Sequence, residues 1–187
     1  NRCVHCNNCF NINNKGCIIA TRKLMYEGGG KKMGTATKTS GVDRYSTFGL
    51  RAEWLSSFFD LLNDWFDGYE GLGPKQIPAM LNWLREAELI ESDQKVVTDL
   101  AEILKPIYST NPLLVWQIIW INLSFNSSIV NWYVNNTKND YAYSKAELVE
   151  LLKEEYPNLK GKTLKNPVDA LVNTFTNSPL GTIDPDD

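Results

Sequence analysis

Apolar residues recur at three- and four-residue intervals along most of the chain after its first 44 residues, and this spacing predicts amphipathic α-helices. The first helical stretch, FGLRAEWLSSFFDLLNDWFDG, ends at Gly68, and a second opens at Pro74, a residue suited to a first helical turn. A third is expected from a cap at Thr98 or Asp99, and a fourth follows Asn111. The fourth helix is apolar on nearly every side, so we expect it at the buried centre of the body.

Two short apolar runs interrupt the helical pattern between the second and third predicted helices. Residues 89–91 and 95–97 are separated by the polar pair Ser92-Asp93, which is compatible with a small β-hairpin. Helix, helix and a two-stranded wing is the order of a winged-helix unit. We therefore predict a first winged-helix-like unit, which includes the central helices, over residues 45–140.

A similar order of elements begins again near Ser144. Ser144 and Glu147 have the spacing of a capping box, and Asn166-Pro167 opens a further helix. A second winged-helix-like unit is predicted over residues 141–187, with its wing cut short by the closing TIDPDD. That short wing, with an asparagine rather than a methionine at position 1, suggests a piece of a longer protein.

All four cysteines lie in one short stretch, CVHCNNCFNINNKGC, at residues 3–17. Cys3, Cys6 and Cys9 are spaced C-x2-C-x2-C, so three thiolates can converge from one loop, and Cys17 completes a set of four. The first three repeat the cluster-binding run of bacterial ferredoxins, but the fourth follows after seven residues and precedes Ile18 instead of proline. We interpret the set as the four local ligands of one 4Fe-4S cluster.

Zinc is the alternative metal, because four-cysteine zinc sites are also local and rich in thiolates, although their C-x2-C knuckles are usually separate. A disulfide framework is disfavoured, since 170 residues without another cysteine follow the set and a domain of that size needs no staple. We assign residues 1–26 to a cysteine-rich cluster-binding segment. The glycine-rich stretch EGGGKKMGTATKTSG then indicates a flexible linker over residues 27–44.

Charge divides the chain into two unlike parts, although the net charge is only -3. Residues 1–42 carry seven lysines or arginines and one acid, whereas the remainder carries 12 basic and 21 acidic residues. The basic front could attract nucleic acid or lie against the acidic body. Since no apolar run approaches the roughly 18 residues of a membrane span, we expect a cytoplasmic protein with no membrane partner.

The best candidates for nucleic-acid contact are Lys160, Lys162, Thr163 and Lys165, which cluster near a helix start where backbone N–H groups also favour anions. Glutamates on the preceding helix oppose this contact. In the first unit, Glu86 and Glu88 make the would-be recognition helix a poor surface for phosphates, so docking of a protein is the alternative role.

No catalytic residue is predicted, because the chain has no His or Cys after position 17. The polar stretch NLSFNSSIVNWYV is interpreted as a set of side chains that satisfy helix ends and interhelical contacts.

Several of these motifs together resemble an uncharacterised helical domain family found at the C-terminal end of phosphoadenosine phosphosulfate reductase-like proteins. The resemblance rests on CVHCNNCF, GCIIA, the glycine-rich linker, YSTFGLRAEWLSSFF, WLREAELI and LVWQIIWINLSFNSSIVNWYV, and it covers nearly the whole chain. It implies a module that works with an upstream catalytic domain of the same polypeptide or with a partner protein.

Proteins of this kind resemble ATP pyrophosphatases, and some relatives with cysteine clusters act in DNA phosphorothioation. The resemblance transfers only the four cysteines, as cluster ligands. Two functions are therefore expected in competition: an iron-sulfur accessory module of a reductase-like or sulfur-transfer enzyme, and a zinc-stabilised winged-helix regulator that binds DNA or protein.

Overall fold

The structure, a computed structural model, describes residues 41–69, 71–138 and 141–181. The predicted cluster ligands Cys3, Cys6, Cys9 and Cys17 lie outside the described residues. So do the rest of the predicted segment 1–26 and the predicted linker as far as residue 40.

The described residues form a mainly α fold, as the sequence predicts, and no strand occurs among them. The helices in chain order are α1 (Ala52–Leu61), α2 (Trp65–Gly68), α3 (Gln76–Glu86), α4 (Asp99–Thr110), α5 (Pro112–Asn126), α6 (Ser128–Asn136), α7 (Lys145–Glu155) and α8 (Lys162–Thr176).

Three predicted helix starts are confirmed by their caps. The Thr98 hydroxyl accepts from the Ala101 N–H at the start of α4, and the Asn111 side chain accepts from the Leu114 N–H at the start of α5. At the start of α7, the Ser144 hydroxyl and the Glu147 carboxylate satisfy each other's backbone N–H groups in a capping box. These side chains occupy donors that the first helical turn leaves without a partner.

Two predicted helix bounds were wrong. The first helix does not run unbroken to Gly68, because Leu62 adopts a positive φ of 50° and a 3-10 turn over Leu62–Asp64 separates α1 from α2. The last helix begins at Lys162 rather than at Asn166, with Pro167 inside it. A proline cannot donate a backbone hydrogen bond, so the helix tolerates the loss of one at this position. The ring of Pro167 is buried.

A single antiparallel bridge, between Ile90 and Val97, lies where the hairpin is predicted, and it is the only β-pairing among the described residues. The Glu91 N–H donates to the Val96 carbonyl at 2.9 Å, and the Thr98 N–H donates to the Leu89 carbonyl at 3.0 Å. The turn between α3 and α4 is therefore closed by backbone hydrogen bonds, but it is too short to form strands.

Helix α5 packs against α3, α4 and α6 and supplies the middle of the core. Its buried residues are Val115, Trp116, Ile119 and Leu123. It meets α6 at an angle of 93°.

The outer positions of α5 are not all covered, since Leu113 is 46% exposed and Phe125 is 54% exposed. Among the described residues no single helix is long and apolar enough to cross a membrane. Helices α5 and α6 reach that length and composition only as a bent pair, and a buried core helix has the same composition.

Residues 41–50, which we call the anchor segment, run through the core before α1 begins. Val42, Tyr45 and Leu50 are fully or almost fully buried, so residues 41–44, assigned from sequence to the end of the linker, include a core residue. The ring of Tyr45 stacks face to face on that of Trp83, with centroids 3.6 Å apart.

The anchor segment also joins helices that are distant in sequence. The Trp83 Nε1–H donates to the Phe48 carbonyl at 2.9 Å, and the Leu50 N–H donates to the Thr174 hydroxyl of α8 at 3.0 Å. Gly49 lies so close to α8 that an added Cβ would meet the Thr174 nitrogen and come within 2.6 Å of the Ala170 carbonyl oxygen. Both predicted units, 45–140 and 141–187, therefore contribute residues to one core.

This close approach predicts that Gly49→Ala lowers the free energy of unfolding by about 3 kcal/mol, because the atoms it would meet are backbone atoms that cannot turn aside. Gly68→Ala is the matched control, since a Cβ there meets nothing within 4 Å, and it should raise stability by about 0.5 kcal/mol. Urea unfolding followed by circular dichroism measures both. Equal stability of the two variants would contradict the proximity of Gly49 and α8.

Candidate functional site

The predicted metal site cannot be placed in the fold, because its four cysteines precede the described residues. Within the described ranges, no group of three or more His, Cys, Asp or Glu side chains could hold a metal ion.

The predicted nucleic-acid-binding residues lie together at the start of α8. Lys160, Lys162, Thr163 and Lys165 are all exposed. The Thr163 hydroxyl donates to the Lys160 carbonyl at 2.8 Å and accepts from the Lys160 N–H at 3.3 Å. This local loop closes the turn ahead of the helix and leaves three ammonium groups around the positive end of the α8 dipole.

The polar residues of NLSFNSSIVNWYV act as the sequence predicts, in helix ends and interhelical contacts. The Asn122 side chain donates to the Ala87 carbonyl and the Asn126 side chain to the Glu86 carbonyl, both at 2.9 Å. Asn131 donates to the Ser124 carbonyl at 2.8 Å. The amides of α5 thus cap the C-terminal end of α3, where carbonyls lack partners within the helix.

A buried polar network at that end of α3 was missed from the sequence. Glu86, counted above as an acid that repels phosphate, is only 7% exposed, so that interpretation of Glu86 was wrong. Its carboxylate pairs with the guanidinium of Arg44 in the anchor segment. Beside it, the Tyr45 hydroxyl donates to the fully buried Ser127 hydroxyl at 2.7 Å, at the bend between α5 and α6.

The environment of Glu86 favours its protonated form. Burial raises the pKa of this carboxyl from 4.5 to about 7, even though the charge of Arg44 and the hydrogen bonds from Ser127 and Arg44 act in the opposite direction. The oxygen Oε2 of Glu86 is buried, and no described residue forms a hydrogen bond with it. The C-terminal end of a helix is also unfavourable for a negative charge. This site can therefore take up or release a proton near neutral pH.

A second carboxylate lies in the same segment. Asp43 faces the side chain of Asn166 on α8, and burial raises the pKa of its carboxyl. Its Oδ1 atom is buried and has no hydrogen-bond partner within residues 41–69, 71–138 and 141–181. Arg44 therefore follows the partly desolvated acid Asp43 in sequence and pairs with the buried acid Glu86. All three side chains lie where the anchor segment joins the body.

One signal in the sequence could have identified Glu86. Ala79, Trp83 and Glu86 are spaced by four and three residues, so they share one face of α3, and Ala79 and Trp83 are apolar. An acid on an apolar face is rarely buried without a partner. The identity of that partner, an arginine 42 residues earlier, has no local signal.

The fold and these sites define a mainly α protein in which an exposed arginine pairs with a buried glutamate at the start of the body. No family model, curated protein or solved structure matches the chain. The function is therefore argued from the residues themselves.

Removing the charge of Glu86 should change how stability depends on pH. The folded-state pKa of Glu86 lies above the ordinary value of 4.5. Between about pH 4.5 and pH 7 the folded protein therefore binds more protons than the unfolded chain. The free energy of unfolding should fall by about 3 kcal/mol as the pH rises from about 4.5 to above 7. Glu86→Gln should lack that fall.

Urea unfolding at several pH values between about 4.5 and 8 tests this, with the exposed Glu102→Gln of α4 as the control. The difference in stability between Glu86→Gln and the unsubstituted protein should grow with pH, whereas that for Glu102→Gln should not. A difference for Glu86→Gln that stays constant across this range would refute the raised pKa.

Proposed function

We propose that this chain is an iron-sulfur accessory module of a larger phosphoadenosine phosphosulfate reductase-like enzyme, with Cys3, Cys6, Cys9 and Cys17 as the ligands of a 4Fe-4S cluster. The observation that carries the proposal is the C-x2-C-x2-C spacing with a fourth cysteine close behind. Four thiolates from one short segment suit the chemistry of such a cluster, whose iron atoms take one cysteine each. The family resemblance described above supports the same assignment.

In this proposal the cluster supplies electron transfer or sulfur handling, and the helical body docks it to the catalytic machinery. The catalytic domain lies upstream in the same polypeptide or belongs to a partner protein. The anchor segment supports an attachment of the cysteines to the body, because Val42 and Tyr45 are buried in the core 25 and 28 residues after Cys17. The body carries the cluster segment on a tether that ends in its own core.

We further propose that the body consists of two winged-helix-like units. The order α1, α3 and the Ile90–Val97 bridge supports the first, and the order α7 and α8 supports the second. The second unit would contact nucleic acid through Lys160, Lys162, Thr163 and Lys165. Their exposure at a helix N-terminus supports this contact, since phosphates bind where lysines and free backbone N–H groups meet.

Anaerobic purification followed by iron, sulfide and zinc analysis tests the cluster. We expect about four irons and four sulfides per chain, with a broad visible absorption band that bleaches on reduction. One zinc per chain and no colour after attempted cluster reconstitution would reject the proposal in favour of a zinc-stabilised winged-helix regulator.

Cys6→Ser should abolish the visible band and leave the helical circular dichroism of the body unchanged, because the buried residues from Val42 to Leu171 pack on one another in a single cluster. His5→Ala is the matched control, since His5 is adjacent and is not a proposed ligand, and it should keep the band. If Cys6→Ser melts the whole body instead, the metal is structural and the redox role fails.

Replacing Lys160, Lys162 and Lys165 together by glutamine should weaken binding of duplex DNA and lower the slope of log affinity against log salt by about 2 to 3. A triple variant of exposed lysines elsewhere, Lys75, Lys95 and Lys138, removes the same charge and serves as the control. Fluorescence anisotropy at several salt concentrations measures both. Equal effects of the two triple variants would show that only net charge matters and that α8 forms no site.

A further inference from the structure

A groove of about 350 Å³ runs along α7 and the residues just before it. We call it the tyrosine–glutamate groove, since its lining includes Tyr141, Tyr143 and the α7 residues Glu147, Glu150 and Glu154. The two tyrosine rings meet edge to face with centroids 4.6 Å apart, and Tyr141 is 53% exposed. Aromatic surface beside carboxylates is a combination that favours organic cations.

The glutamates of the groove differ in how far they are already engaged. Glu147 accepts hydrogen bonds from the Ser144 N–H at 2.7 Å and from the Tyr141 hydroxyl at 2.8 Å. Glu150 has an exposed contact with Lys153 at 3.2 Å, which is a weak pair in water. No hydrogen bond or ion pair to Glu154 occurs within the described part of the chain.

Among the described residues that line the groove, Lys138 is the one cation beside three glutamates, so this lining is negative overall. Glu147 is already engaged with the Tyr141 hydroxyl and the Ser144 N–H. Glu150 and Glu154 are therefore the carboxylates that can attract a ligand. Their four-residue spacing puts them on one face of α7, about 6 Å apart, close enough for two neighbouring cations. A pair of adjacent lysines can reach both carboxylates, because each ammonium group ends a flexible four-carbon stem.

The chain itself contains two adjacent basic pairs, Arg22-Lys23 and Lys31-Lys32, and the second lies closer to the described body. Lys31 and Lys32 are adjacent, in a front part that carries seven basic residues and one acid over positions 1–42. Gly28–Gly30 and Gly34 flank them, so the backbone on either side has few steric restrictions. We propose that Lys31 and Lys32 dock in the tyrosine–glutamate groove of the same molecule, where their ammonium groups pair with Glu150 and Glu154 beside the tyrosine rings.

The distance to be covered is compatible with this docking. The described body begins at Gly41, and the neighbouring Asp43 faces Asn166 on α8. Helix α8 packs directly on α7, and Lys145 pairs with Asp169 between them. Ten residues separate Lys31 from Gly41 and span at most about 35 Å, whereas a helix with its side chains is only about 10–12 Å across.

Docking would shorten the tether between the cysteine segment and the body, because Cys17 precedes Lys31 by fourteen residues and Val42 by 25. The inference does not depend on which metal the cysteines bind.

Zero-length carbodiimide cross-linking of the full chain tests the docking, because this reagent joins an amine to a carboxylate only where the two are in contact. After digestion, mass spectrometry should find Lys31 or Lys32 joined to Glu150 or Glu154. The yield should fall to background when NaCl rises from about 0.05 to about 0.5 M, since exposed ion pairs are screened by salt. An equal mixture of ¹⁵N-labelled and unlabelled chains should give cross-links within one isotopic species only.

Glu150→Gln with Glu154→Gln should abolish these cross-links and leave the circular dichroism unchanged, because both side chains are exposed. Glu53→Gln with Asp60→Asn is the matched control: it removes two carboxylates from a different groove, along α1, and should leave the yield unchanged. Cross-links between isotopic species would show that a second copy occupies the groove and would overturn the proposal. So would Lys31 and Lys32 joined mainly to acids outside α7.

Discussion

The close approach of Gly49 to α8 is the contact that lets the anchor segment cross the core. With no side chain at position 49, the backbone there lies against the backbone of α8, and this brings the Leu50 N–H to the Thr174 hydroxyl. The same segment places Tyr45 on Trp83 and the Phe48 carbonyl on the Trp83 indole. Helices α3 and α8 are therefore fastened to one stretch of chain, and the two predicted units share a single core.

The polar network beside this contact shows what the arrangement requires. Where the anchor segment crosses the end of α3, the carbonyls of Glu86 and Ala87 need donors, and Asn126 and Asn122 of α5 supply them. Arg44 brings a positive charge to the buried Glu86 carboxylate. The bend between α5 and α6 supplies the Ser127 hydroxyl, which accepts from Tyr45. The anchor segment, the end of α3 and this bend, which are far apart in sequence, therefore meet in one polar network.

Local signals predicted the fold well where a side chain satisfies its own helix. Thr98, Asn111 and Ser144 mark helix starts because their partners are three residues away. Predictions were wrong where the deciding partner is remote. Nothing near Leu62 in the sequence announces its positive φ, and α8 runs through Pro167 because core packing around that ring outweighs one lost hydrogen bond.

The candidate sites divide in the same way. The lysines around α8 and the asparagines of α5 could be named from the sequence because composition alone marks them. The place of Glu86 on an apolar helix face was a usable signal, but its partners could not be named, since Arg44 and Ser127 are both about 40 residues away in sequence. The cysteine set was recognised from its spacing alone, and its interpretation stays a prediction.

The hydrogen bond between Leu50 and Thr174 also sets the order in which the core can form during synthesis. These residues are 124 positions apart, and a ribosome that adds roughly 5–20 residues per second needs about 6–25 s to synthesise the chain between them. For that time Gly49 and Leu50 have emerged without α8, and Leu50 exposes apolar surface that a chaperone can hold, whereas Tyr45 meets its partner Trp83 earlier. The four cysteines leave the ribosome earlier still, so any metal they bind can load before the core closes.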